Sequence, residues 1–225
     1  MGTKFSTRVW VSVVGIASIF FGSKGYADTV ISVADFGLKP DTRENAVAYV
    51  QKAIEACRGK EPVTLVFPEG RYDFWPQYAH EKNYYETNTY DVFPKRLAML
   101  FEGLHNITVD GNGSQFVMHD RIQPITVENC DGVTLKNFSI DWDIPLTAQA
   151  RVTKVGSDFF EIEINVLESP YIIEDGKLVF VGEGWKSALG SMIEFESDTH
   201  FVVPGTGDLV LGWNWGDYTA VAPRC

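Results

Sequence analysis

Between Leu104 and Asp143 the chain alternates apolar and polar residues, and one phrase occurs twice. His105-Asn106-Ile107-Thr108-Val109-Asp110-Gly111 is matched 26 residues later by Asp131-Gly132-Val133-Thr134-Leu135-Lys136-Asn137. Each copy is a polar turn, an apolar–polar–apolar run and a polar or glycine corner. A period of two marks a strand with one buried face. A single such unit cannot bury its own apolar side, so a repeat of this length predicts stacked units. The pattern predicts an all-β fold built on consecutive coils of a right-handed parallel β-helix. A pair of antiparallel strands with similar corners is the alternative for the same residues.

Upstream, Thr29 to Val33 reads as a short strand. A helix follows Asp41, which with Glu44 makes a capping box. Ala46, Val47, Val50, Ala53, Ile54 and Cys57 recur at three- and four-residue steps and give it one apolar stripe. Arg58-Gly59-Lys60 ends it. Val63 to Phe67 is a strongly apolar strand closed by Pro68-Glu69-Gly70, and Arg71 to Phe74 starts another. Trp75 to Arg96 breaks the repeat and is read as a loop, rich in aromatic rings among charged and amide residues. Rings beside hydrogen-bonding groups suit a sugar site; a solvated loop over the flank is the other reading. His80 is taken as a surface histidine. Leu97 to Glu102, Gln115 to Met118 and Pro124 to Val127 are further strands, with His119, Asp120 and Arg121 at a corner.

Beyond Pro145 the pattern changes. Ala148 to Val155 alternates, Gly156-Ser157-Asp158 turns, and Phe159 to Val166 alternates with Phe160, Ile162 and Ile164 on one face. That is a hairpin. Lys177 to Val181 and Met192 to Phe195 add strands. Residues 147–203 are therefore expected to be an inserted antiparallel hairpin or small barrel, after an N-terminal cap and first coils in 28–146. Residues 204–225 are expected to be an incomplete return to the β-helix, with a glycine- and tryptophan-rich stretch from Leu209 to Tyr218.

Residues 1–27 stand apart. Lys4 and Arg8 precede an apolar run from Val9 to Phe21, too short to span a bilayer comfortably, and Gly25-Tyr26-Ala27 offers small residues for cleavage. This predicts a signal peptide cut after Ala27 and a secreted or periplasmic protein without a membrane span; an uncleaved anchor is the rival. The chain carries 19 basic and 30 acidic residues, a net charge of −11. Cleavage removes Lys4, Arg8 and Lys24 and no acid, which leaves −14. Such a surface repels phosphate backbones, which argues against nucleic acid, and it disfavours polyanionic sugars; neutral glycans stay compatible. Cys57, Cys130 and Cys225 form no CxxC or zinc pattern. No metal or cofactor is expected.

Asp141-Trp142-Asp143 puts two carboxylates around an aromatic ring where a corner is due. In a strand both acids point the same way, about 6–7 Å apart. Such a pair suits a cation, an array of sugar hydroxyls or a raised pKa. Otherwise one acid caps a turn and the other faces water.

The order of strand, Asp35-Phe36-Gly37, amphipathic helix and Val63 to Phe74 resembles the N-terminal cap of pectate-lyase-like β-helix proteins, in which the helix plugs the open end. More specifically, Asp35-Phe36-Gly37, Val66 to Pro76, Leu104 to Gly113 and Asn137 to Pro145 resemble the front part of glycoside hydrolase family 110. The resemblance implies a bacterial exo-α-1,3-galactosidase that inverts, needs no metal and acts on a neutral galactose-containing glycan. Inversion uses an acid and a base carboxylate about 6.5–9.5 Å apart. Members of that family are longer, with their acids expected in coils after the insertion. The chain is therefore expected to be an N-terminal part, with no residue assigned to either catalytic role. Asp141, Trp142, Asp143 and Arg121 are assigned to substrate contact. Two readings stay open beside it: a polysaccharide lyase of the same fold, which would want Ca²⁺ and a basic cleft, and a non-catalytic carbohydrate-binding module.

Overall fold

A computed structural model describes residues 29–84, 93–204, 209–210 and 219–220. Residues 1–27, expected to be a signal peptide, Cys225 and most of Leu209 to Tyr218 lie outside the described residues. What is described is mainly β, with one α-helix.

Strand β1 (Thr29–Ser32) stops one residue short of the expected Val33, which instead opens a 3₁₀ turn, Val33–Phe36. Ser32 Oγ accepts the Ala34 N–H and the Asp35 carboxylate accepts the Ser32 N–H, so the chain's capping box sits here. Gly37 closes the turn at φ 93°, where a side chain would be strained. Helix α1 (Val47–Cys57) starts later than the sequence suggests, and the Asp41–Glu44 box does not form. Asp41 stands at φ 61° and its carboxylate accepts the Arg71 N–H at 2.9 Å. It ties the loop to the next strand instead of opening a helix. Asn45 takes over the capping work: its Oδ1 accepts the N–H groups of Val47 and Trp75. The predicted apolar stripe is fully buried against the sheets. Burial pushes the Cys57 thiol up to about 11, while half-buried Cys130 accepts the Leu104 N–H.

The remaining strands of the first body are β2 (Val63–Val66), β3 (Arg71–Phe74), β4 (His80–Tyr84), β5 (Phe93–Glu102), β6 (His105–Met118), β7 (Gln123–Glu128) and β8 (Asp131–Trp142). All but β4, which pairs antiparallel with β5, form three parallel stacks with β1. In the first, β1, β2, β6 and β8 align Ile31, Leu65, Val109 and Leu135 in one row and Val30, Thr64, Thr108 and Thr134 in the next. In the second, β3 joins the far half of β6 and then β8, aligning Tyr72, Phe116 and Ile140. The third pairs β5 with β7. The twofold phrase thus pairs with itself: His105 lies opposite Asp131 and Asp110 opposite Lys136. The register then slips, and Ser114 meets Phe138. Gly111 is required at the slip, because a Cβ there would lie 2.5 Å from that of Phe138. Inside the stacks, Phe116 packs on Phe67, Phe74 and Phe138 with ring centres 4.7–5.6 Å apart.

The stretch read as a loop, Trp75 to Arg96, holds β4 and the first residues of β5, paired antiparallel with Lys82 opposite Lys95. Its pairing rests on charge rather than apolar alternation. Glu102 and Glu128 are register neighbours, and Lys82 Nζ bridges them at 2.8 and 2.7 Å. Tyr84 also donates to Glu128. His80 is exposed, as expected.

After Pro145, β9 (Ala150–Val155) and β10 (Phe160–Ile164) make the predicted hairpin, closed by the Gly156 N–H on the Phe159 carbonyl. A three-stranded meander follows: β11 (Tyr171–Glu174), β12 (Lys177–Gly182) and β13 (Trp185–Ala188). The flanking strands were not anticipated. Asp175-Gly176, both at positive φ, makes the first two-residue turn, and Glu183-Gly184 makes the second. Strands β14 (Ser191–Met192) and β15 (Leu209–Val210) pair antiparallel. Among the described residues no helix is long and apolar enough to cross a membrane.

Candidate functional site

In β3, Tyr72 and Phe74 point into the core, so Arg71 and Asp73 point to the opposite face. That face is covered, and Asp73 is buried all the same. Arg71 Nε and Nη2 donate to the Asp73 carboxylate at 3.0 and 2.6 Å. His119, at the corner after β6, places Nε2 2.8 Å from Asp73 Oδ1 and is 2% exposed. Trp75 lies flat on its imidazole, 3.7 Å away and 13° from parallel. Asp143, just past β8, accepts from Arg71 Nη2 at 2.7 Å. Arg43 stands 3.8 Å from the same oxygen.

Burial by itself would raise the Asp73 pKa. The hydrogen bonds from Arg71 and His119 outweigh burial and hold it below the usual carboxylate range. The bond to Asp73 raises Arg71 in return. Asp73 therefore adds stability above about pH 4, and that contribution is lost as pH falls through its depressed folded value. The thermal midpoint should drop between pH 5 and pH 3, and Asp73→Asn should lose less over the same window. Parallel curves for the two proteins would refute this.

Asp73, His119 and Asp143 offer atoms within 4.8 Å of one another, a spacing that could surround a cation. The positive charge at that point is the Arg71 guanidinium, which donates to both carboxylates.

The antiparallel region meets this corner at the tip between β12 and β13, residue against residue. His119 Nδ1 is 2.6 Å from Glu183 Oε2. The Asp120 carboxylate lies against Gly184, where an added Cβ would come within 2.5 Å of it. The Arg121 guanidinium stands 5.8 Å over the Trp185 ring.

The four residues assigned to substrate contact fall around this corner in different ways. Asp143 joins the Arg71–Asp73–His119 group. Asp141 is exposed, and its Oδ1 accepts the next residue's N–H at 2.8 Å. The two acids thus have separate partners: β8 ends at Trp142, and Asp143 turns toward Arg71. Trp142 packs on the core and donates its indole N–H to the Asp120 carbonyl at 3.2 Å. Arg121 faces the tip between β12 and β13. Sequence reasoning missed Arg71, Asp73 and Glu183, gave His119 no role, and placed Trp75 only within the aromatic stretch suited to a sugar site. One signal was present: a polar pair two residues apart, interleaved with Tyr72 and Phe74, belongs on the outer face of a strand.

Residues 148–223 match a family described as GLAA-B beta-barrel domain I. The chain is 59% identical over 197 residues to a protein named alpha-1,3-galactosidase B from Bacteroides thetaiotaomicron, covering 88% of this chain and 32% of that protein. It is 36% identical over 169 residues to alpha-1,3-galactosidase A from Shewanella woodyi, with 74% and 28% covered. It is also 36% identical over 205 residues to alpha-1,3-galactosidase B from Phocaeicola vulgatus, with 89% and 32% covered. The chain spans about a third of the length of these relatives.

Proposed function

Because the chain is a homologue of bacterial alpha-1,3-galactosidases over about a third of their length, we propose that it serves a secreted glycoside hydrolase that removes terminal α-1,3-linked galactose with inversion. The observation that carries this reading is the 59% identity along 88% of the chain. The stacked registers support the finer reading of residues 28–146 as cap and first coils of a right-handed parallel β-helix. The match over residues 148–223 supports reading a β region of its own after the first coils; it runs past 203 and takes in most of 204–225, the part expected to return to the β-helix. Export follows from reading residues 1–27 as a signal peptide.

In this reading the corner supplies sugar contacts. Carboxylate oxygens accept from sugar hydroxyls, and ring faces pack on the C–H side of the pyranose. Asp141, Trp142, Asp143 and Arg121 are assigned that work, and none of them is given the acid or base role. The excess of acidic residues favours a neutral glycan over a polyanion.

Incubating the protein with an α-1,3-galactosyl oligosaccharide and following released galactose by NMR tests this. A hydrolase that inverts gives β-galactose first; the α anomer first would overturn inversion. No release from a folded sample overturns the claim that this chain is itself an enzyme and leaves a sugar-binding module. A calcium-dependent unsaturated product would identify the lyase instead.

A further inference from the structure

A buried chain of hydrogen-bonding groups runs beneath the corner: Asp143, Arg71, Asp73, His119, Glu183. Its middle is closed to solvent, with the Asp73 side chain fully buried and His119 at 2% exposure. Its two ends are carboxylates that reach water, Asp143 at 34% and Glu183 at 36%. At each end one oxygen is engaged inward, on Arg71 or on His119. The other oxygen has no hydrogen-bond partner among the described residues. The inner partners fix the direction in which the outer oxygens point.

Such an end is poorly explained by stability alone. A carboxylate whose only task was to pin the hairpin tip could be fully buried or replaced by an amide. Here the tip is already fixed by Gly184 against Asp120 and by Trp185 under Arg121. The same tip carries an unspent donor: the Trp185 indole N–H is buried and unpaired among the described residues. Buried donors are rarely left unanswered in native proteins. Oriented acceptors with an open oxygen and an unspent donor are the groups that engage a sugar's hydroxyls, and a ring beside them suits its C–H face.

We propose that Glu183 is a sugar-contact residue and that His119 is its positioning residue, with Asp143 as the second acceptor at the other end of the chain. The proposal rests on the glycan reading of the corner and adds to it a residue from the antiparallel region. The ligand it fits is a neutral sugar whose hydroxyls donate to these carboxylates. His119 cannot touch that sugar; it acts by holding Glu183.

The test titrates the full chain with α-1,3-galactobiose and, separately, with maltose, following the tryptophan indole signals by NMR. Circular dichroism checks the fold of each variant. Glu183→Ala is expected to weaken galactobiose binding about tenfold to a hundredfold, the usual range for a hydrogen bond to a charged group. Glu183→Gln, which keeps the shape and an acceptor oxygen, should weaken it less, and it serves if the alanine variant does not fold. His119→Gln should weaken binding in the wild-type background and add nothing to Glu183→Ala, because it acts through that residue. Unchanged affinity in both Glu183 variants overturns the proposal and leaves the galactoside reading standing. Full additivity of His119→Gln with Glu183→Ala overturns the positioning role. Binding of maltose alone, with the same dependence on Glu183, overturns the galactose reading and keeps the proposal. A folded wild-type chain that binds neither sugar overturns it.

Discussion

Asp73→Ala should cost the protein about 3–5 kcal/mol of stability, read as a fall in the urea midpoint without a change in slope. The substitution takes the one carboxylate that half-buried Arg71 and buried His119 share. Arg71 loses the acceptor of its Nε and one of the acceptors of its Nη2, and His119 loses the partner of Nε2. Removing one member of a buried ionic group leaves the others uncompensated, which costs more than the intact pair ever contributed. Asp143 can satisfy part of the guanidinium, since it already accepts from Nη2. It cannot reach in to replace Asp73 from the strand's outer face, because its oxygen is held at the corner. Asp73→Asn is the informative control: it keeps the shape and an acceptor and removes the charge, so its loss should be smaller. A loss under about 1 kcal/mol for the alanine variant would show that the group is dispensable to folding.

Phe116→Ala should be comparably damaging, at about 3–5 kcal/mol. Phe116 is fully buried near the end of β6 and touches rings from three neighbouring segments: Phe67 after β2, Phe74 in β3 and Phe138 in β8. Those segments are held by their own backbone ladders, so they cannot close over the void, and the cost of an empty cavity adds to the lost burial. Phe116→Leu fills part of the space and should lose less. Equal losses for the two variants, measured by denaturant unfolding, would mean that the stacks are not packed through this ring.

The parts of this fold that were legible in the sequence are those in which apolar residues alternate. Ile107, Val109, Val133 and Leu135 betray both their strands and the 26-residue offset that pairs Asp110 with Lys136. The stripe of α1 was equally plain, but its start was not: Asp41 has the right chemistry for a cap and spends it on the Arg71 N–H, a partner thirty residues away. Strand β4 was invisible because His80-Glu81-Lys82-Asn83-Tyr84 has no apolar face; Lys82 between Glu102 and Glu128 replaces one. Strand β11 was missed although Asp175-Gly176 is a strong turn signal. The site was harder still. Asp143 was singled out, and of its two readings, a pair with Asp141 or an acid facing water, neither named Arg71 from another strand. Glu183 lies 64 residues from His119, and no local pattern announces that meeting.

In the first stack the spatial order of strands, β1, β2, β6, β8, is also their order along the chain. Every strand added therefore lands on the free edge left by an earlier one, and no strand has to be threaded between two already in place. Closing these pairings spans 34, 44 and 26 residues in turn, as Thr29 meets Val63, Val63 meets Ile107 and Ile107 meets Val133. Contacts so distant are slow to find in a chain released all at once. A polypeptide delivered gradually from its N-terminus has each template assembled before the next strand arrives, so the geometry is suited to acquisition during synthesis or transport, step by step and in one direction.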